Sequence, residues 1–182
     1  VLSLLLAASC PAQERAVWKI GSFDDSSAEF GGQASMSRAF VVNESVPKDW
    51  PGVQQSVVPG KAAEATPRRI RFELPSAPQG MYRLRLGLLV HTPRAPLVQL
   101  DVNGHRGWFH QPLVDYREGN IEASTFPQYS IGGLTIEIPS DFLRQGTNEI
   151  SLLAVTDPLS TSLPGGEAVD DALLTYDALA LD

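Results

Sequence analysis

The segment His105-Arg106-Gly107-Trp108-Phe109-His110 gathers two aromatic rings, an arginine and two imidazoles directly after the dipeptide Asn103-Gly104. Those side chains suit sugar recognition. A pyranose ring stacks its apolar face on a flat aromatic, its hydroxyls take directional hydrogen bonds, and a uronate carboxylate takes the two-pronged guanidinium of arginine. A second set lies upstream. Arg83, Arg85 and His91 occupy alternate positions of one stretch, and Gln99 falls on the polar side of the next. If those two stretches pair, the four residues share one face. Tyr129 belongs with Tyr116 to a long irregular stretch from Arg106 to Gly132, of a length that is often functional or packed down by its own aromatics. The competing reading is that Trp108 and Phe109 close one end of the core.

Catalytic alternatives find less support. Sugar-bond hydrolysis needs two carboxylates at a set separation, and Asp101 and Glu137 are ordinary outward acids. There is no G-x-S-x-G nucleophile turn. Polysaccharide β-elimination needs a Lys, His or Tyr base beside a neutralising cation. His91 with Arg83 and Arg85 is the one such set, and a polar sheet face with arginine stems covering their neighbours explains it equally.

The elements that position these residues are strands. Arg68 to Leu74 alternates, with Ile70, Phe72 and Leu74 on one side and Arg69, Arg71 and Glu73 on the other. Met81 to Thr92 alternates with Leu84, Leu86 and Leu88 against Arg83, Arg85 and His91. Leu97 to Asn103 sets Val98, Leu100 and Val102 inward and Gln99 and Asp101 outward before the Asn103-Gly104 turn. Leu134 to Ile138, Ile150 to Ala154 and Asp171 to Leu181 repeat the pattern, and Ala16 to Ser22 and Arg38 to Asn43 are shorter candidates. Glu44 to Pro67 reads as a long loop held down by Trp50, and Trp18 and Trp50 read as core. One helical turn over Ser140 to Leu143 takes Ser140 as its N-cap. Eight or more strands, 15 Gly and 14 Pro, and no long helical period predict an all-β, two-sheet antiparallel β-sandwich of jelly-roll type.

Charge and processing bound the partners. With 14 Lys+Arg against 21 Asp+Glu the net charge is −7, and no basic patch suits nucleic acid. Leu2 to Ala8 followed by small residues reads as the remnant of a signal peptide, residues 1–14, with the domain spanning 15–182. Two routes fit it: cleavage after Ala12, or lipidation of Cys10, the one cysteine. Either leaves a thiol-free domain, secreted or held at the cell surface or in the periplasm. No bound cofactor is implied, apart from a structural Ca²⁺ held by Asp24, Asp25 and Asp177, with Glu29, Asp170 and Asp171 nearby in sequence. Solvated surface acids are the competing reading. Asn43-Glu44-Ser45 is a glycosylation sequon.

An ordered set of motifs resembles the carbohydrate-binding-like third domain of family 4 rhamnogalacturonan lyases. Val17-Trp18-Lys19-Ile20-Gly21-Ser22-Phe23-Asp24 with Ala28-Glu29-Phe30 resembles its opening, Lys48-Asp49-Trp50-Pro51 its D-W-P element, and Leu97 to Gly104 its strand ending in V-N-G. Asp115-Tyr116-Arg117-Glu118-Gly119 with Tyr129 is similar to its D-x-x-x-R-x-G-x-x-G-x-Y stretch, at altered spacing. Ile138 to Ile150 resembles its I-P-x-x-x-L-x-x-G-x-N-x-I hairpin, and Thr175 to Leu181 its terminal strand. The resemblance implies a galactose-binding-like jelly roll. In those lyases catalysis belongs to another domain, so lyase activity does not transfer. The expected function is a non-catalytic module that binds pectic or other plant or microbial polysaccharide, with a further domain beyond Asp182. The alternatives are a structural docking domain of a larger lyase or glycoside hydrolase, and a lyase in its own right.

Overall fold

Alternating residues become two five-stranded sheets facing each other across one apolar core. The computed structural model describes residues 16–32, 39–63, 65–90, 96–110, 130–156 and 173–182. Its strands are β1 (Trp18–Gly21), β2 (Phe40–Val41), β3 (Val53–Gln55), β4 (Arg68–Leu74), β5 (Met81–Val90), β6 (Leu97–Val102), β7 (His105–Phe109), β8 (Ser130–Pro139), β9 (Gly146–Val155) and β10 (Leu173–Leu181). The first sheet runs β1-β10-β5-β8 with β3 also on β10, and the second runs β2-β4-β9-β6-β7. Pairing is antiparallel except for β2 on β4, which is parallel. The expected all-β sandwich is therefore present, with one mixed sheet.

The core follows the period-two reading. Ile70, Phe72, Leu84, Leu86, Leu88, Val98, Leu100, Ile150 and Leu152 all face inward and are buried. Trp18 and Trp50 join them, as expected; Trp18 tilts against Phe72 at 5.8 Å, and Trp50 meets Tyr176 edge-on at 5.4 Å. Roughly 25 cal/mol per Å² of apolar area removed from water drives this closure.

Three local readings are corrected. Residues 44–67 are not one loop, because β3 forms within them on the β10 edge. Residues 106–132 are not wholly irregular: β7 pairs with β6 through the Asn103-Gly104 turn, where both residues take positive φ (51° and 96°) as this tight hairpin requires. The 3₁₀ turn is Ser140–Phe142, with Pro139 rather than Ser140 as its N-cap; Pro139 supplies the extended dihedrals that enter the turn.

Candidate functional site

β5 and β6 do not pair. β5 lies between β10 and β8, and β6 between β9 and β7, in the opposite sheet. The face expected to combine Arg83, Arg85 and Gln99 therefore does not form. A connection that crosses from sheet to sheet is invisible to alternation, because both strands show the same period wherever they go.

On the first sheet Arg85 is committed to structure. Its guanidinium pairs with the Asp182 carboxylate at 2.5 and 3.2 Å and lies 4.9 Å from the centre of the Phe23 ring. Phe23 also lies 5.4 Å from the Lys19 ammonium. It packs over Gly87, where a Cβ would come within 2.9 Å of the ring and 2.8 Å of an Asp177 carboxylate oxygen. Arg83 stands in register with Glu137 on the neighbouring strand.

The three acids expected to hold Ca²⁺ are arranged otherwise. Asp177 sits at a bulge in β10, and its carboxylate accepts hydrogen bonds from the backbone N–H groups of Asp24 (3.2 Å) and Ser26 (2.9 Å). It fastens the segment after β1 onto the sheet. Among the described residues no cluster of three or more His, Cys, Asp and Glu side chains is placed to hold a metal ion. Asp170 and Asp171 lie outside the described residues, as do His91, Tyr116, Tyr129, Cys10 and the apolar leader.

The second sheet carries the other half of the expected site. Trp108 is 47% exposed on the edge strand β7, and its register partner is Gln99. Phe109, one residue on, points the other way and packs against the core, its ring folded over Gly107, where a Cβ would meet it at 2.8 Å. The two aromatics thus divide: Phe109 seals the sandwich edge and Trp108 faces solvent. Arg106 shares the Trp108 side and pairs with Asp101 at 3.4 Å. His110 closes the segment, exposed. Val57, Ala62 and Ala65 pack onto Leu97, Leu153 and Val155 on this same outer face. Val57, Ala62 and Ala65 therefore wall one side of this face, and Gln99, Asp101 and Ser151 make a half-buried polar floor beside Trp108. An exposed indole above such a floor can stack a sugar ring and hydrogen-bond its hydroxyls.

A buried polar layer, which sequence reading missed, lies inside the sandwich near the ends of β4 and β10. Tyr176 donates to Gln54 at 2.8 Å, Gln54 donates to the Leu152 carbonyl, and Ser56 and Thr156 bond each other at 3.0 Å. Arg68 is 4% exposed; burial lowers its pKa, partly opposed by Tyr176. Burial pushes the Tyr176 phenol well above its usual range, with Arg68 pulling weakly the other way. The signal available in the sequence was Arg68 itself, an arginine on the apolar side of an alternating strand.

The stability consequence has a definite sign. The unfolded phenol ionises near pH 10, whereas the native one keeps its proton to higher pH. The contribution is complete below about pH 10 and is lost above it, as the unfolded chain releases a proton that the native chain holds. Tm is expected to fall more steeply above about pH 10 in the parent than in Tyr176→Phe. Equal slopes in thermal melts from pH 8 to 11.5 would contradict this.

A family model described as CBM-like, polysaccharide lyase family 4, domain III, matches residues 16–181. No curated protein matches the chain. Among solved structures the chain is similar to a family 35 carbohydrate binding module from an environmental isolate, at 18% identity and TM-score 0.40, covering 71% of this chain and 69% of that one. It is similar to the CBM35 of Cellvibrio japonicus Abf62 at 14% identity and TM-score 0.35, over 63% and 64% of the two chains. It is also similar to a β-porphyranase of glycoside hydrolase family 86 from the human gut bacterium Bacteroides plebeius, at 8% identity and TM-score 0.42. That match covers 71% of this chain but spans only 18% of the porphyranase.

Proposed function

The chain belongs to the CBM-like domain III family of polysaccharide lyase family 4, and from that membership we propose that it is a non-catalytic module that holds an acidic, pectic polysaccharide on the outer face of the second sheet. The single observation that carries the choice of face is Trp108, an indole 47% exposed beside Gln99 while its neighbour Phe109 is turned into the core. Exposing a tryptophan beside polar, half-buried neighbours has no packing benefit, whereas it is what a sugar ring needs. Arg85, tied to Asp182 and Phe23, contributes to the fold on this reading rather than to the ligand.

The expected affinity is weak. Each sugar hydrogen bond nets about 0.5–1.5 kcal/mol, and a few of these with one stacked ring give a Kd on the order of 10 µM to 1 mM. Weak binding becomes useful when a tether raises local concentration. We therefore read the module as an exported part of a larger polysaccharide-degrading protein, with a catalytic domain beyond Asp182.

Affinity electrophoresis tests the proposal on rhamnogalacturonan, homogalacturonan and a neutral glucan. The parent is expected to be retarded by the pectic polymers, and Trp108→Ala to weaken that binding by about tenfold or more, equivalent to 1.4 kcal/mol. Parent mobility unchanged on every glycan would overturn the binding role in favour of a docking one. Release of unsaturated product absorbing in the ultraviolet would overturn the non-catalytic one.

A further inference from the structure

The outer face of the second sheet bears three arginines, and two of them are matched. Arg71 pairs with Glu149 at 2.7 Å, and Arg106 with Asp101 at 3.4 Å. Arg69 is different: among the described residues no hydrogen bond or ion pair engages its guanidinium. It is half-buried, on the outward side of β4. Register carries it across the sheet. Arg69 stands opposite Ser151, Ser151 opposite Asp101, and Asp101 opposite Arg106, forming one cross-strand row. The row next to it holds Leu153, Gln99 and Trp108. Leu153 lies under Val57, Ala62 and Ala65, so the ground between Trp108 and Arg69 that the described residues leave uncovered is the polar floor.

We propose that Arg69 is the carboxylate receptor of this face, and that a uronate-bearing polysaccharide lies across the strands with one ring on Trp108 and a carboxylate on Arg69. The inference rests on the binding face proposed above. β4 and β7 are three strand spacings apart, roughly 14 Å, so the two contacts fall on different sugar residues of one chain. A guanidinium with a carboxylate neighbour, such as Arg71, would have to exchange one partner for another and gain little. An unmatched, half-desolvated one gains a charge-assisted, two-pronged pair. Because the chain as a whole is net negative at −7, long-range attraction does not favour a polyanion, and discrimination has to come from such a local contact.

The experiment compares polygalacturonate with its fully methyl-esterified form, which keeps the sugar rings and removes the charge. The parent is expected to prefer the charged polymer. Arg69→Gln should lower affinity for it by about tenfold and leave the ester unchanged, and Arg69→Lys should retain part of the preference. Lys19→Gln removes one positive charge from the other sheet and should change neither. Trp108→Ala should weaken both polymers alike. If Arg69→Gln keeps the parent preference while Trp108→Ala loses binding, the Arg69 assignment fails and the face stands. If Lys19→Gln loses as much preference as Arg69→Gln, net charge rather than Arg69 is responsible and the assignment fails. If Trp108→Ala binds both polymers like the parent, the face itself is wrong.

Discussion

Asn148→Ala is expected to destabilise the domain by about 3–4 kcal/mol and to lower its Tm by roughly 10 °C. The residue is the asparagine of the I-P-x-x-x-L-x-x-G-x-N-x-I hairpin, a polar position in sequence, yet it is fully buried. Its side-chain amide donates to the carbonyls of Arg144 (2.8 Å) and Gly146 (2.9 Å). Its side-chain oxygen accepts from the Arg144 backbone N–H (2.9 Å) and from the Asn103 amide (2.8 Å). All the hydrogen-bonding capacity of an asparagine amide is thus in use. Truncation leaves those backbone groups desolvated without partners, at about 1–3 kcal/mol each, less whatever water recovers.

The same knot reaches the proposed binding face. Asn103, held by Asn148, also donates to the Phe142 carbonyl at 2.8 Å and accepts from the Glu149 N–H at 3.0 Å. It is the first turn residue leading into β7, the strand that carries Trp108. Asn148→Asp should also destabilise, because a carboxylate turned towards the Arg144 and Gly146 carbonyls cannot donate to them. Urea titration of both variants measures the losses. A cost below about 1 kcal/mol for Asn148→Ala would mean that water replaces the amide at this site.

What could be read from residue order divides by distance along the chain. Alternation is local: each inward Ile, Leu or Val of β4, β5 and β6 follows from its neighbours two positions away, and the structure places those residues in the core. The Asn103-Gly104 hairpin is local too, since positive φ at both positions is a property of the dipeptide. Sheet membership is not local. β5 and β6 are consecutive and similar in pattern, yet they enter opposite sheets, so an Arg83–Arg85–Gln99 face reads plausibly along the sequence and does not assemble in space. The Trp108–Phe109 pair was legible only as an alternative between core and ligand. β7 assigns one ring to each, because adjacent strand residues point to opposite sides. Arg69 was legible as an outward residue, but that its charge is unmatched depends on which acids the registers bring to Arg71 and Arg106. That Asp177 meets the segment after β1 was legible, as a grouping of Asp24, Asp25 and Asp177, but that its carboxylate takes backbone N–H groups there was not. That contact depends on a bulge at Asp177 that turns a β10 carboxylate towards residues more than 150 positions earlier.

Trp50→Ala is expected to separate stability from binding. Trp50 is 1% exposed and meets Phe40 at 6.3 Å and Tyr176 at 5.4 Å, both edge-on. Its indole N–H has no hydrogen-bond partner among the described residues, so its contribution is packing. Removing a buried tryptophan side chain costs about 3–5 kcal/mol through lost apolar transfer and the cavity left behind. Trp50→Phe should cost much less than Trp50→Ala, because the smaller ring still fills much of the site and the unpartnered N–H is gone. Trp108→Ala should do the reverse: a surface indole on an edge strand contributes little to folding, so its Tm should stay within a few degrees of the parent while glycan binding falls. Below its own melting range Trp50→Ala should still be retarded by pectic polymers, since Trp50 meets the second sheet from inside the sandwich at Phe40 of β2, the edge strand opposite β7, whereas Trp108 and its polar neighbours Gln99 and Asp101 lie on the outer face. Thermal melts and affinity gels on the same preparations decide the matter. If folded Trp50→Ala loses binding as fully as Trp108→Ala does, the ligand site extends to the Trp50 side of the sandwich, and the assignment of Trp50 to the core alone is wrong.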